Sequence, residues 1–139
     1  MLTAISSATL LRRSPSGTAK RTRRATPIFR RGDIVRVPFP FVETNRTRNR
    51  PGLVVSNGTT SSRFGLLWVV MITGAGHEPW PEDVDVGPSH ADFGLAIPSR
   101  IRVAKIAAIS ASQASLVGQI DKTILDAVMK RVRAIVGLD

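Results

Sequence analysis

Residues Arg31–Ser56 read RGDIVRVPFPFVETNRTRNRPGLVVS. Asp33-Ile34-Val35-Arg36-Val37-Pro38-Phe39 alternates and is rich in β-branched side chains, the pattern of a half-buried strand. Pro38 has no amide hydrogen for a ladder, so this strand is expected to be an edge at that point or to be ending, with Pro40-Phe41 closing it. Residues 42–50, VETNRTRNR, follow as a polar connection longer than an ordinary hairpin loop. Pro51–Ser56 resumes as a strand, and Asn57-Gly58 supplies a turn signal after it.

The connection carries Arg46, Arg48 and Arg50. Its ordinary reading is a solvated surface loop. Two features point elsewhere: it is long without a glycine, and Arg50 stands directly before Pro51 at the root of the next strand. The residue before a proline is held in extended backbone, so the Arg50 guanidinium springs from a stiff base. A planar fork of donors fixed in this way suits two-point contact with phosphate.

Charge needs dividing before it is interpreted. The chain of 139 residues has a net charge of +10, but Arg12, Arg13, Lys20, Arg21, Arg23, Arg24, Arg30 and Arg31 precede any acidic residue. From Gly32 onward twelve basic residues face ten acidic ones. The excess is therefore a property of the N-terminal segment, and within the rest of the chain placement matters more than total charge. Residues 1–27, rich in Ser, Thr, Arg and Ala, show no sustained apolar period and are expected to be disordered. They are read first as residues included by a generous start-codon choice, next as a solvated basic arm, and also as a targeting segment. We divide the chain into a disordered basic tail, 1–29, and one domain, 30–139. Zero cysteines exclude disulfides, thiolate metal sites and cysteine nucleophiles.

Beyond the opening stretch, Gly65–Thr73 is continuously apolar and fits a strand buried on both faces, with Trp68 in the core. The segment 74–92 is acidic, with a short strand near Val84–Val86. Asp92–Ile97, Arg100–Ile109 and Leu116–Ile120 read as further strands. Ile124, Leu125, Val128, Val132, Ile135 and Val136 then recur at helical spacing, with Asp121 as N-cap and Gly137 as stop. Several short strands followed by one helix give a mainly β fold with a C-terminal α-helix, a small curved barrel closed by that helix.

Gly32-Asp33-Ile34-Val35, Pro38-Phe39-Pro40-Phe41, Arg50-Pro51-Gly52-Leu53-Val54-Val55-Ser56 and Met71-Ile72-Thr73 form an ordered set. With Gly94-Leu95, Pro98-Ser99, Arg102, Lys105 and Val136-Gly137-Leu138, that set resembles the MazF/PemK toxins over roughly residues 30–138. The resemblance implies an SH3-like (CcdB/PemK-type) barrel, a homodimer, and a toxin of a type II toxin–antitoxin module. It implies a sequence-specific endoribonuclease that cleaves single-stranded mRNA through the RNA's own 2′-hydroxyl, with no metal or other cofactor. It further implies a cognate antitoxin protein as partner, a cytoplasmic location and no membrane. The implied catalytic pair is Arg50 and Thr73, with Arg46, Arg48 and Asn49 as RNA contacts. Where some members carry a loop glutamate, this chain reads Thr44-Asn45-Arg46 with Glu43 offset.

Competing readings accompany each residue. Thr73 on its own is a strand-end threonine bonding local backbone. Arg46, Arg48 and Asn49 could instead neutralise the acidic segment 78–92. Trp80 reads as a packing or dimer-interface residue before a base-stacking one. His77 and His90 have no companions at metal-ligand spacing. The alternative for the whole chain is a non-catalytic barrel that binds nucleic acid or a protein target such as gyrase.

Overall fold

The computed structural model describes residues 28–40 and 47–138, so the expectations for residues 1–27 and for Arg46 fall outside the described residues. Six strands form one antiparallel sheet: β1 (Asp33–Pro40), β2 (Thr47–Val54), β3 (Leu66–Gly74), β4 (Val84–Asp85), β5 (Ser99–Ser110) and β6 (Ser115–Gln119), in the order β4-β5-β3-β2-β1-β6. Two helices accompany it, α1 (Gly58–Phe64) and α2 (Lys122–Val136). The registry of β5 against β3 jumps between the pairs Val70–Ile106 and Met71–Arg102, and that of β6 against β1 shifts at Ile34/Val35. Such irregularities bend and twist strands, and the sheet curls into a half-barrel with a C-terminal helix.

Period-two alternation divides the core between the two faces of the sheet. Ile34, Leu53, Val70, Ile72, Ile101 and Val103 lie in one cluster, completed by Val128 of α2, which is fully buried. Val35, Val37, Val54, Leu67, Val69 and Met71 lie in the other, with Phe29 and Phe39. The α2 caps are as expected: Asp121 Oδ1 accepts from Ile124 N–H at 2.9 Å, and Gly137 closes the helix in the left-handed region. Asp33, though buried, accepts from Arg30 N–H at 3.0 Å and from Gln119 Nε2 at 3.1 Å, which ties the start of β1 to the end of β6. Pro38 is tolerated because β6 pairs only with Asp33–Arg36, so that side of β1 has no ladder partner at the proline among the described residues.

Four expectations need correction. Thr47–Arg50 belong to β2 rather than to a loop: Arg50 faces Val37, Asn49 faces Pro38 and Arg48 faces Phe39. Polarity misled there: β1 supplies the buried apolar side chains, Val37 and Phe39, and the β2 residues opposite them, Arg50 and Arg48, carry no apolar pattern of their own. Asn57-Gly58 opens helix α1 instead of a turn; Asn57 Oδ1 accepts from Thr60 N–H at 3.0 Å, a cap that resembles a turn signal in sequence. Asp92–Ile97 is no strand; His90–Phe93 is a 3₁₀ turn that ends at Gly94 with φ of 86°. Trp68 is 53% exposed. Helix α2 packs over the Val70 and Ile72 end of its sheet face, and the Trp68 end lies beyond it.

Gly118 of β6 lies close against the backbone of Phe93 and Gly94. A methyl group there would stand 2.1 Å from the Phe93 carbonyl oxygen, and backbone on both sides prevents a cheap adjustment. Gly118→Ala is expected to cost about 1–3 kcal/mol through overpacking. The check is a lower urea midpoint at unchanged slope.

Candidate active site

The pairing of β2 with β3 ends at Gly52 opposite Met71. Two residues beyond that end stand Arg50 on β2 and Thr73 on β3. Both line a cleft of about 310 Å³. Arg36 of β1, Arg50-Pro51 of β2, Ile72–Gly74 of β3, Ser99 of β5 and Val117 of β6 line it, along with His77 and the Gly94–Ile97 loop. The cleft therefore sits beyond the point where the pairing of β2 with β3 ends. Its lining holds two guanidiniums, two hydroxyls and an imidazole, and no carboxylate among the described residues.

Thr73 is buried and pairs with Arg100 of β5. Arg50 is half-buried. Its pKa is lowered, first by desolvation and then by the charge of Arg48. An arginine lowered from so high a starting point still carries its charge at neutral pH. The consequence is a cation with less water around it, whose field on a bound anion is correspondingly less screened.

A second set of arginines organises the cleft wall without entering the Arg50–Thr73 pair. Arg100 Nη1 donates to the Ala75 and His77 carbonyls, each at 2.9 Å, while Nε meets Asp85 at 3.1 Å. Arg102, two residues on, donates from Nη2 to the Glu78 carbonyl at 2.8 Å and to Asp83 Oδ2 at 3.1 Å. Its guanidinium covers the Trp80 ring at 4.3 Å, and Lys105 Nζ lies 5.8 Å from the same ring. Trp80 is thus packed beneath two cations of β5. Glu82 meets Arg131 of α2 at 3.5 Å. Glu82, Asp83 and Asp85 thus hold the loop after β3 against β5 and α2, with Arg131, Arg102 and Arg100 as their partners.

Of the residues expected from sequence, the structure brings Arg50 and Thr73 to one cleft. Arg48 and Asn49 are exposed on the outer part of β2 and do not line it. Arg36, His77 and Ser99 were missed as site residues. The signal for Arg36 was present: it is the one charged side chain inside the apolar alternation of β1, on the parity of Ile34. His77 follows Thr73 through Gly74-Ala75-Gly76, a spacer with almost no side-chain bulk.

The family model that describes a PemK-like, MazF-like toxin of type II toxin–antitoxin systems matches residues 30–136. No curated protein matches the chain in sequence. Among solved structures, MazF from Deinococcus radiodurans superposes with a TM-score of 0.66 at 18% identity, covering 80% of this chain and 98% of that one. A MazE–MazF complex from the same organism superposes with a TM-score of 0.63 at 16% identity, covering 81% and 99%. An endoribonuclease in complex with its cognate antitoxin, from a mycobacterial species, gives 0.62 at 18% identity, covering 79% and 96%.

Proposed function

Because the chain belongs to the PemK-like, MazF-like toxins of type II toxin–antitoxin systems, we propose that it is an endoribonuclease that cuts single-stranded mRNA by attack of the 2′-hydroxyl on the neighbouring phosphate. The observation that supports this most is the convergence of Arg50 and Thr73 on one cleft that also holds Arg36. Cleavage of RNA by its own hydroxyl needs no protein nucleophile. It needs a scaffold that holds the phosphate in line, a cation where charge grows on the phosphoryl oxygens, and proton transfer. Arg50 supplies the cation. Thr73 positions a phosphoryl or 2′ oxygen through its hydroxyl. Arg36 on the facing strand takes an adjacent phosphate, and Arg48 and Asn49 extend the path along β2. No step in this scheme calls for a metal ion.

RNA, a cognate antitoxin and a second copy of the chain are the partners we assign. The uncovered end of the sheet, where Trp68 and Ile106 are about half exposed, offers an apolar surface for association. The antitoxin is expected to place acidic side chains near the arginines of β2. Residues 30–139 constitute the toxin domain in this reading. No helix of the described residues is long and apolar enough to cross a membrane.

The test is incubation of the purified protein with single-stranded RNA in excess EDTA. Discrete fragments are expected, at a rate unchanged by added magnesium. Cleavage only with added metal would overturn the metal-free route, and binding without any cleavage would make the barrel a non-catalytic binder.

A further inference from the structure

Arg50 and Thr73 leave one chemical requirement unmet. A guanidinium that stays protonated and an aliphatic hydroxyl are both poor acceptors for the proton of a ribose 2′-hydroxyl near neutral pH. No carboxylate lines the cleft among the described residues, and among the lining side chains His77 offers a ring nitrogen that can accept a proton. Resting on the functional reading above, we propose that His77 is the general base of this site.

The placement of His77 is built rather than incidental. Gly74 and Gly76 contribute no side chains between Thr73 and the imidazole. His77 Cδ2 stands 3.7 Å from where a methyl on Gly74 would be, which sets the ring alongside the backbone that follows Thr73. The backbone of the loop is pinned on both sides of the histidine: Arg100 grips the Ala75 and His77 carbonyls, and Arg102 grips that of Glu78. His77 N–H donates to the Gly74 carbonyl at 3.1 Å, closing the turn. These four bonds use only backbone atoms of the loop and leave the imidazole edge for substrate. A base held by pinned backbone meets the geometric demand of proton transfer better than one on a loose loop.

In the step itself, an imidazole nitrogen takes the 2′-hydroxyl proton as the 2′ oxygen forms its bond to phosphorus. The bond from phosphorus to the 5′ oxygen breaks, and that oxygen takes a proton from water. The imidazolium returns its proton to solvent, leaving a 2′,3′-cyclic phosphate and a 5′-hydroxyl. The charged groups around the ring are Arg36 from β1, Arg50 from β2 and Arg100 from β5, with Glu78 next in the chain. Arg100 is engaged with Asp85 and two carbonyls, and Arg36 and Arg50 line the cleft that would receive the substrate phosphates.

The experiment is a single-turnover pH–rate profile of the full chain on single-stranded RNA, compared with His77→Ala and His77→Gln. Arg100 binds the His77 carbonyl and not its ring, so both variants retain the loop. Wild-type cleavage is expected to fall with acid as the base takes up a proton before it meets the substrate. Both variants are expected to lose about 100-fold at the plateau and to lose that acid limb. Binding of an uncleavable 2′-deoxy oligonucleotide should be unchanged in both, and added imidazole should partly restore His77→Ala. Variants that cut at the wild-type rate, or that keep its acid limb, would overturn the role of His77 while leaving the functional reading intact. Loss of an alkaline limb instead would overturn the base and make the residue an acid. A wild-type protein that cuts no RNA would overturn both readings.

Discussion

Arg50→Ala is expected to lower the rate of RNA cleavage by about 10²–10³-fold, the usual cost of removing one preorganised donor from a developing anion. The loss should appear in the chemical step more than in binding. Arg36 in the same cleft and Arg48 on β2 remain to hold the RNA backbone. Arg50→Lys is not expected to restore the rate, since a single ammonium cannot reproduce a two-point fork at the same place. The fold should survive both changes. Arg50 lies outside both apolar clusters, and its strand is held by Leu53 and Val54, which are fully buried. Single-turnover rates with saturating enzyme, alongside a thermal melt of each variant, check this. Equal rates for Arg50→Ala and wild type would remove Arg50 from the chemistry.

Asp83→Ala is expected to destabilise the fold by about 3–5 kcal/mol, because it strands a buried guanidinium. The Asp83 and Arg102 side chains are 5% and 8% exposed, and their Oδ2–Nη2 distance is 3.1 Å. Asp83 also accepts from the Trp80 N–H at 2.9 Å, so the substitution frees a second donor. For a domain of this size the melting temperature should fall by roughly 10–20 °C. The pair itself need not be worth that much. Asp83→Leu combined with Arg102→Met should recover much of the loss, since two apolar side chains avoid desolvating either charge. If Asp83→Ala melts like wild type, the pair is not buried in solution and the loop after β3 is held by other contacts. The same substitution reaches function through the Glu78 carbonyl, because Arg102 then loses the partner that orients it.

What could be read from the chain alone divides along physical lines. The β1 and β2 core, Ile34, Val35, Val37, Leu53 and Val54, was legible because period-two alternation survives wherever one face is apolar. Helix α2 was legible because Val128 lies at the centre of a helical stripe with Asp121 and Gly137 at its ends. The outer end of β2 was not, because Thr47–Arg50 pair with β1 through polar residues that carry no apolar alternation, the buried side chains there being Val37 and Phe39 of β1. Helix α1 was hidden by Asn57, whose side chain caps a helix with the same chemistry that makes a turn. The strand expected at Asp92–Ile97 failed because Phe93 and Leu95 are buried from a 3₁₀ turn, and two buried residues at that spacing imitate a strand. Trp68 was placed inside on residue type, although the helix that would bury it stops short of its end of the sheet. At the site, Arg50 was legible through Pro51, a local feature. His77 depended on Arg100 and Arg102, two β5 residues that grip its loop from more than twenty positions away in sequence, and no local pattern announces such a contact.

The most direct measurement is the chemical identity of the RNA ends produced in EDTA by the wild-type protein and by Arg50→Ala. Attack by the 2′-hydroxyl predicts 2′,3′-cyclic phosphate on one side of each cut and 5′-hydroxyl on the other, with both nearly absent from the Arg50→Ala reaction. Fragments bearing 5′-phosphate ends, or RNA that stays intact until metal is added, would contradict the account.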